Sequence, residues 1–185
     1  MEQKAEKIEQ EQLEQEKIKQ EQEKKEKEAR QLSTKIFTTK QNAIGKNIED
    51  VKKELEGLGV SDIPIKYISS RYYPIGTVAF VERDGENFTL NTFYVIESNK
   101  SEDLTIMPEL KINKSEITKE NVTEIQEQLI EIFETYELKC KFEINTKKNQ
   151  NKNEKMLSNV LITPPGEGKY YPKESVFLWN ITVYE

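Results

Sequence analysis

Histidine is absent from the 185 residues, and cysteine occurs once, at Cys140. The first absence removes every Ser-His, Cys-His and His-metal arrangement, together with the commonest general base near neutral pH. The second rules out an internal disulfide, so cysteine content does not separate a reducing compartment from an oxidising one. No stretch approaches the roughly 18 consecutive apolar residues of a spanning helix, and the N-terminus lacks the apolar core of a signal peptide. A basic excess is missing too: 28 Lys and Arg stand against 34 Asp and Glu, a net charge of −6. Binding to a phosphate backbone needs a basic face that releases counterions, so no nucleic-acid partner is expected. Only carboxylate chemistry remains, and no acidic residue lies in an apolar setting that would mark a glycosidase-type pair. The expectation is a non-catalytic chain without a cofactor or metal site.

What is present divides unevenly. Apolar residues make up 35% of the chain and charged ones 34%, too polar for one large core. Much of the charge sits in Met1 to Arg30, which holds ten Glu, seven Lys and one Arg. These residues and the interspersed Gln are strong helix formers, and Glu21–Lys25, Glu23–Lys27 and Glu26–Arg30 are i,i+4 pairs in the favourable order. A charged helical stalk over residues 1–32 is expected, with a disordered run as the alternative. Ile8, Leu13 and Ile18 recur every five residues, whereas a coiled-coil seam needs a 3-4 alternation.

Beyond residue 40 the chain contains its own copy. Ile48, Val51, Leu55 and Leu58 give one face of a short helix, with Asn47 as N-cap and Gly59 as the stop. Val122, Ile125, Leu129 and Ile132 repeat that spacing at an offset of 74. Alternating strands follow each helix, Ile65 and Tyr67 in the first copy, Cys140, Phe142 and Ile144 in the second. Later matches pair Val78 with Val160, Gly85 with Gly168, Phe88 with Tyr171 and Tyr94 with Phe177, at offsets of 82 or 83. An inserted Asn- and Lys-rich loop, 145–155, accounts for the change, and Pro164, Pro165, Gly166 and Gly168 break the chain before the last strand. The expected fold class is α+β: two tandem small modules, 40–98 and 104–185, each one helix packed on a three-stranded antiparallel sheet, preceded by the charged N-terminal helix. Units this small have marginal cores, which favours packing of one against the other.

This pattern resembles the PASTA module of bacterial cell-envelope proteins. The first copy offers Ile44-Gly45-Lys46-Asn47, the helix through Gly57-Leu58-Gly59-Val60, and Tyr73-Pro74-Ile75-Gly76-Thr77-Val78. The second offers Met107-Pro108-Glu109-Leu110 before its helix, then Pro165-Gly166-Glu167-Gly168. The first has Glu82 where the family's Pro-x-x-Gly begins, and the second lacks the Gly-Thr-Val string. The resemblance implies a module displayed outside the membrane on penicillin-binding proteins and Ser/Thr kinases, binding muropeptides in some members and acting as a spacer in others. It makes peptidoglycan fragments or an envelope protein the expected partner, with oligomeric state open. The location is extracytoplasmic if an anchor precedes Met1, and cytoplasmic if Met1 is the true start.

Five residues are candidates for ligand binding: Arg71, Tyr72, Tyr73, Tyr170 and Tyr171. Tyrosine offers an apolar face and a polar tip to a glycan or stem peptide, and Arg71 adds a cation. The alternative makes them strand residues half buried against their own helix. The two Tyr-Tyr-Pro strings fall at different points of the repeat, so their likeness is expected to be accidental. Trp179, in the alternating run Phe177, Trp179, Ile181 and Val183, is expected in the core, as is Cys140, an inert thiol on an apolar face. Two functions compete: an envelope binding or spacing protein, and a protein-interaction scaffold in which the N-terminal helix recruits one partner and the modules another.

Overall fold

The computed structural model describes residues 2–84, 89–110, 117–147, 157–163 and 165–184, with the backbone alone for 2–13, 158–163 and 184. Gly85, Phe88, Pro164 and the loop from 148 to 155 lie outside the described residues.

The charged run forms α1, Glu2–Gln41. Two of the expected pairs are in place along it, Glu21–Lys25 at 2.7 Å and Glu26–Arg30 at 3.9 Å. Ile18 is 52% exposed, as a solvated helix requires. The helix does not stop near residue 32. Its last turns dock on the first module, where Ile36 packs against the core and the Lys40 ammonium donates to the Leu90 carbonyl at 2.7 Å. At about 1.5 Å per residue the undocked part reaches on the order of 45 Å.

The second helix, α2 (Ile48–Glu56), begins as the sequence indicates. Asn47 accepts from Glu49 N at 2.9 Å, and Glu49 and Asp50 place negative charge on the first turn. Ile48, Val51 and Leu55 are buried on one face. The chain reverses at Gly59, whose φ is +82°, while Val60 N donates to Leu55 O at 3.0 Å. Three strands follow: β1 (Ile65–Ser69), β2 (Val78–Arg83) and β3 (Leu90–Ser98). A short β4 (Leu104–Ile106) leads to α3 (Val122–Thr135), β5 (Lys139–Lys147) and β6 (Leu157–Thr163). The chain closes with β7 (Gly166–Glu167), β8 (Tyr170–Pro172) and β9 (Val176–Tyr184).

Helix-plus-sheet modules are therefore present, α2 with β1-β3-β2 and α3 with β5-β9-β6, in one strand order. The sheets are mixed rather than antiparallel. β1 runs parallel to β3, and β5 parallel to β9, while β2 and β6 are antiparallel to those central strands. Alternation assigns a strand's faces but not its direction, and in each module β2 or β6, which follows the first strand in the chain, carries it back before the central strand. Another departure is the length of β5. Residues 145–147, assigned to the polar loop, continue the strand opposite Thr182, Val183 and Tyr184. Pairing with β9 thus outlasts the apolar alternation, and Ile144 is left 49% exposed.

The register also moves two matches: Val160, opposite Leu178, corresponds to Phe80, opposite Tyr94, rather than to Val78. Phe93 lies opposite Ile65 and Val81, and Phe177 opposite Cys140 and Leu161. Phe93, not Tyr94, is thus the counterpart of Phe177, and both face their module's helix. Tyr94 turns to the other side of the sheet, since a slip of one residue reverses the face. Tyr67, one of the alternating positions, is 58% exposed.

Each core sits between helix and sheet. Ala43, Val51, Leu55, Val78, Val81, Phe93 and Val95 build the first. The second contains Ile125, Leu129, Phe133, Phe177, Ile181 and Trp179, with Trp179 2% exposed as expected of a core anchor. The first sheet is covered on its other side as well. There Ala79, Ile96 and Leu104 form a small buried cluster joined by Ile68, Tyr73 and Tyr170. That cover comes partly from the second module, because β7 extends the first sheet beside β2 and β8 pairs with β4.

Candidate functional site

The five candidate residues lie where the two modules join. Residues 70–73 follow β1 as a bend rather than a strand. Ser70 is fully buried, and its N–H donates to Ser98 O at 2.9 Å. Its hydroxyl accepts from Tyr72 N at 3.1 Å. Asn99 donates to the Ser70 carbonyl and, at 3.3 Å, to the Tyr73 carbonyl. Arg71 N donates to Glu102 Oε2 at 2.9 Å, and Ser69 N to Asp103 Oδ2 at 2.8 Å. Polar side chains of the segment after β3 thereby pin the bend and fix where Tyr72 points.

From the other direction, β8 presents Tyr170 and Tyr171. Pairing with β4 sets Tyr170 opposite Ile106 and Tyr171 opposite Thr105. Consecutive strand residues face opposite ways, and the two rings separate accordingly. Tyr170 stacks on Tyr72, centroids 4.2 Å apart and planes 12° from parallel, and meets Tyr73 edge-on at 5.4 Å. Tyr171 instead turns inward, edge-on to Phe177 at 5.5 Å and to Phe80 at 6.2 Å.

The structure thus brings Tyr72, Tyr73 and Tyr170 together, with Arg71 exposed beside Tyr72 in the chain, and turns Tyr171 inward against the second core. The Tyr-Tyr-Pro strings do sit at different points of the repeat, yet their rings meet. Tyr72 is 48% exposed, so one aromatic surface remains in water. Burial pushes the Tyr73 and Tyr171 hydroxyls above the usual phenol range, with Tyr170 adding to the rise at Tyr73 and Glu167 at Tyr171. Both are neutral donors at physiological pH.

Sequence reading missed Lys169 and Ile106. The Lys169 ammonium sits 5.6 Å from the Tyr170 ring centroid, a cation–π distance. Ile106 is an exposed apolar neighbour across the β4–β8 pair. Neither lies in a local pattern that marks it; only the strand pairing gathers them. The site therefore offers an aromatic face, an apolar edge, the cations Arg71 and Lys169, and the Glu102 carboxylate held to the bend. Stacking and charge recognition are within its means.

The Cys140 thiol, half-buried beside α3 and donating to the Leu129 carbonyl at 3.7 Å, is pushed up to about 11 by burial. Lys66, Glu82 and Tyr94 form a network, with Lys66 Nζ 2.8 Å from Glu82 Oε2 and the Tyr94 hydroxyl donating to that oxygen at 2.6 Å. Among the described residues no group of three or more Cys, Asp or Glu is placed to hold a metal, and no helix is long and apolar enough to cross a membrane.

No family model and no curated protein matches the chain. Among solved structures it is similar to the entire extracellular region of the Ser/Thr kinase PrkC from Staphylococcus aureus, at 15% identity and a TM-score of 0.24, covering 77% of this chain and 45% of that one. It is also similar to the three-PASTA-domain of a Ser/Thr kinase from Staphylococcus aureus, at 15% identity and a TM-score of 0.25, covering 76% and 62%. The chain spans less than two thirds of either. At those TM-scores the likeness decides neither fold nor function.

Proposed function

We propose that this chain is a non-catalytic bacterial cell-envelope module protein, built from two PASTA-like modules at 40–98 and 104–185 behind a helical stalk, and that it binds peptidoglycan fragments at the module junction. The observation that carries this reading is the Tyr72–Tyr170 stack, 4.2 Å between centroids. Rings from two separate segments make one partly exposed aromatic face with the Lys169 ammonium beside it. Sugar rings and stem-peptide side chains stack on such faces, and Arg71 and Lys169 suit the carboxylates of a stem peptide.

Co-sedimentation of the full chain with isolated peptidoglycan, across a salt series, tests it. Binding should persist near 1 M salt, where the Debye length falls to about 3 Å and adhesion by surface charge is lost. Tyr72→Ala should weaken it roughly tenfold, the worth of one aromatic stacking contact. Adhesion that vanishes with salt, or is indifferent to Tyr72, removes the reading.

One observation favours the scaffold instead: α1 carries Ile18, Leu32 and Phe37 exposed along its length. Removing residues 1–30 and replacing Leu32 and Phe37 by glutamine, while keeping Ile36 and Lys40, which dock on the first module, separates the two. A scaffold loses a partner protein; a wall binder keeps its ligand.

A further inference from the structure

The back of the first sheet contains a residue that its own module does not cover. Phe80 is fully buried, yet it faces away from α2 and belongs to no part of the α2 core. Tyr94 lies against it at 5.5 Å, and Tyr171 of the second module at 6.2 Å. Over its ring run Gly166 and Gly168. A Cβ on Gly166 would fall 2.6 Å from Phe80 Cζ and closer still to the Val81 carbonyl oxygen. One on Gly168 would lie 3.0 Å from Phe80 Cδ2 and from the Tyr170 carbonyl oxygen. Side chains do not fit at the first position, and the backbone itself forms the cover.

The same segment is tied down by polar contacts. β7 pairs with β2, Val81 opposite Glu167 and Glu82 opposite Gly166. Arg83 N donates to the Pro165 carbonyl. The Arg83 guanidinium meets Glu167 with Nη2 2.6 Å from Oε1, both side chains about a third exposed (29% and 33%). Four residues after Gly166 comes Tyr170, the ring that stacks on Tyr72.

We propose that residues 165–172 are a coupling strap that holds the two modules as one body, with Gly166 and the Arg83–Glu167 pair as its positioning residues, and that the Tyr72–Tyr170 face exists only while the strap is seated. The coupling stands on the packing alone; its consequence for binding rests on the function proposed above. A partner meeting this chain therefore meets a single rigid face spanning both modules, not two independently oriented copies.

Backbone 15N relaxation of the full chain, with no ligand added, tests the coupling. Residues of the two modules in the wild type should share one rotational correlation time. Gly166→Val should split it into two shorter ones and reduce the near-UV tyrosine dichroism. Because that variant uncovers Phe80 and can fail to fold, the charge pair provides a second route. Arg83→Glu and Glu167→Arg should each loosen the modules, and the double exchange should restore the common tumbling time. Two tumbling times in the wild type, or one unchanged time in a folded Gly166→Val and in both single exchanges, overturns the proposal. Peptidoglycan co-sedimentation forms a separate arm. A wild type that tumbles as one body yet binds no wall fragment defeats the function reading and leaves the coupling standing. A Gly166→Val chain that tumbles as two bodies yet binds as well as wild type defeats the claim that the face needs the strap.

Discussion

Gly59→Ala isolates the energy of one backbone conformation. Gly59 closes α2 at φ +82°, its N–H donating to Glu56 O at 2.9 Å, with Val60 N bonded back to Leu55 O. A Cβ there would meet nothing within 4 Å, so no steric term enters. An L-residue in the left-handed region costs about 1–2 kcal/mol. The smaller unfolded-state freedom of alanine returns about 0.4–1 kcal/mol of that. A net loss near 1 kcal/mol follows, which for a chain of this size lowers Tm by about 2–4 °C. Thermal unfolding followed by circular dichroism, with Gly59→Asn as a control that tolerates the conformation, measures it. A loss above about 3 kcal/mol would mean a collision the structure does not contain, and a clear gain in stability would mean the turn is not left-handed. The second module makes the complementary case. Glu137 occupies the corresponding turn at φ +56°, with Leu138 N donating to Phe133 O at 2.9 Å. Glu137→Gly relieves that strain but removes the ion pair to Lys173. At high salt, where the pair is screened, it should be at least as stable as wild type.

The Cys140 thiol, pushed up to about 11, should hold on the order of a hundredfold less thiolate at pH 8.5 than an ordinary cysteine. Its alkylation by iodoacetamide should accelerate only above about pH 10; ordinary reactivity at pH 8 would refute the burial argument. Lys66 is raised chiefly by its hydrogen bond to Glu82, and Tyr94 by burial and then by the same carboxylate. Both folded-state values exceed the unfolded ones, so their contribution is complete below about pH 10 and fades as pH rises through the folded values. Urea midpoints should begin to fall only above about pH 10, and fall less steeply in Tyr94→Phe; an unchanged slope would remove Tyr94 from the alkaline transition.

The helices were legible because their signal is local. Ile48, Val51 and Leu55, and Ile125 and Leu129 at the same offset, need only 3.6-residue periodicity, and Asn47 and Gly59 mark the ends of α2 by residue type. The turn after α3 was not legible, because glutamate gives no sign of a left-handed conformation. β3 defeated the alignment for a different reason. Phe93, Tyr94, Val95 and Ile96 are all buried, so a strand covered on both faces has no period-2 pattern to fix its register. The aromatic strings were visible as composition. Their meeting was not, since it depends on β7, a two-residue strand whose partner lies more than 80 positions earlier.

Tyr72 and Tyr170 are not equivalent tests of the junction, although each supplies one ring of the stack. Tyr170 packs against Ala79, Ile96 and Leu104 as well as against Tyr72 and Tyr73. Its truncation opens a cavity in the cover of the first sheet, for which losses of about 3 kcal/mol are ordinary for a buried aromatic. Tyr72 stands outside that cluster, about half in water, with its stacking on Tyr170 as its ring contact. Removing it should cost about 1 kcal/mol of stability or less. A binding defect in Tyr170→Ala therefore mixes a disturbed fold with a lost contact. The same defect in Tyr72→Ala, in a chain that melts near the wild-type temperature, identifies the exposed ring as part of a recognition surface. Intact binding in Tyr72→Ala would assign the stack to the packing between the modules and nothing more.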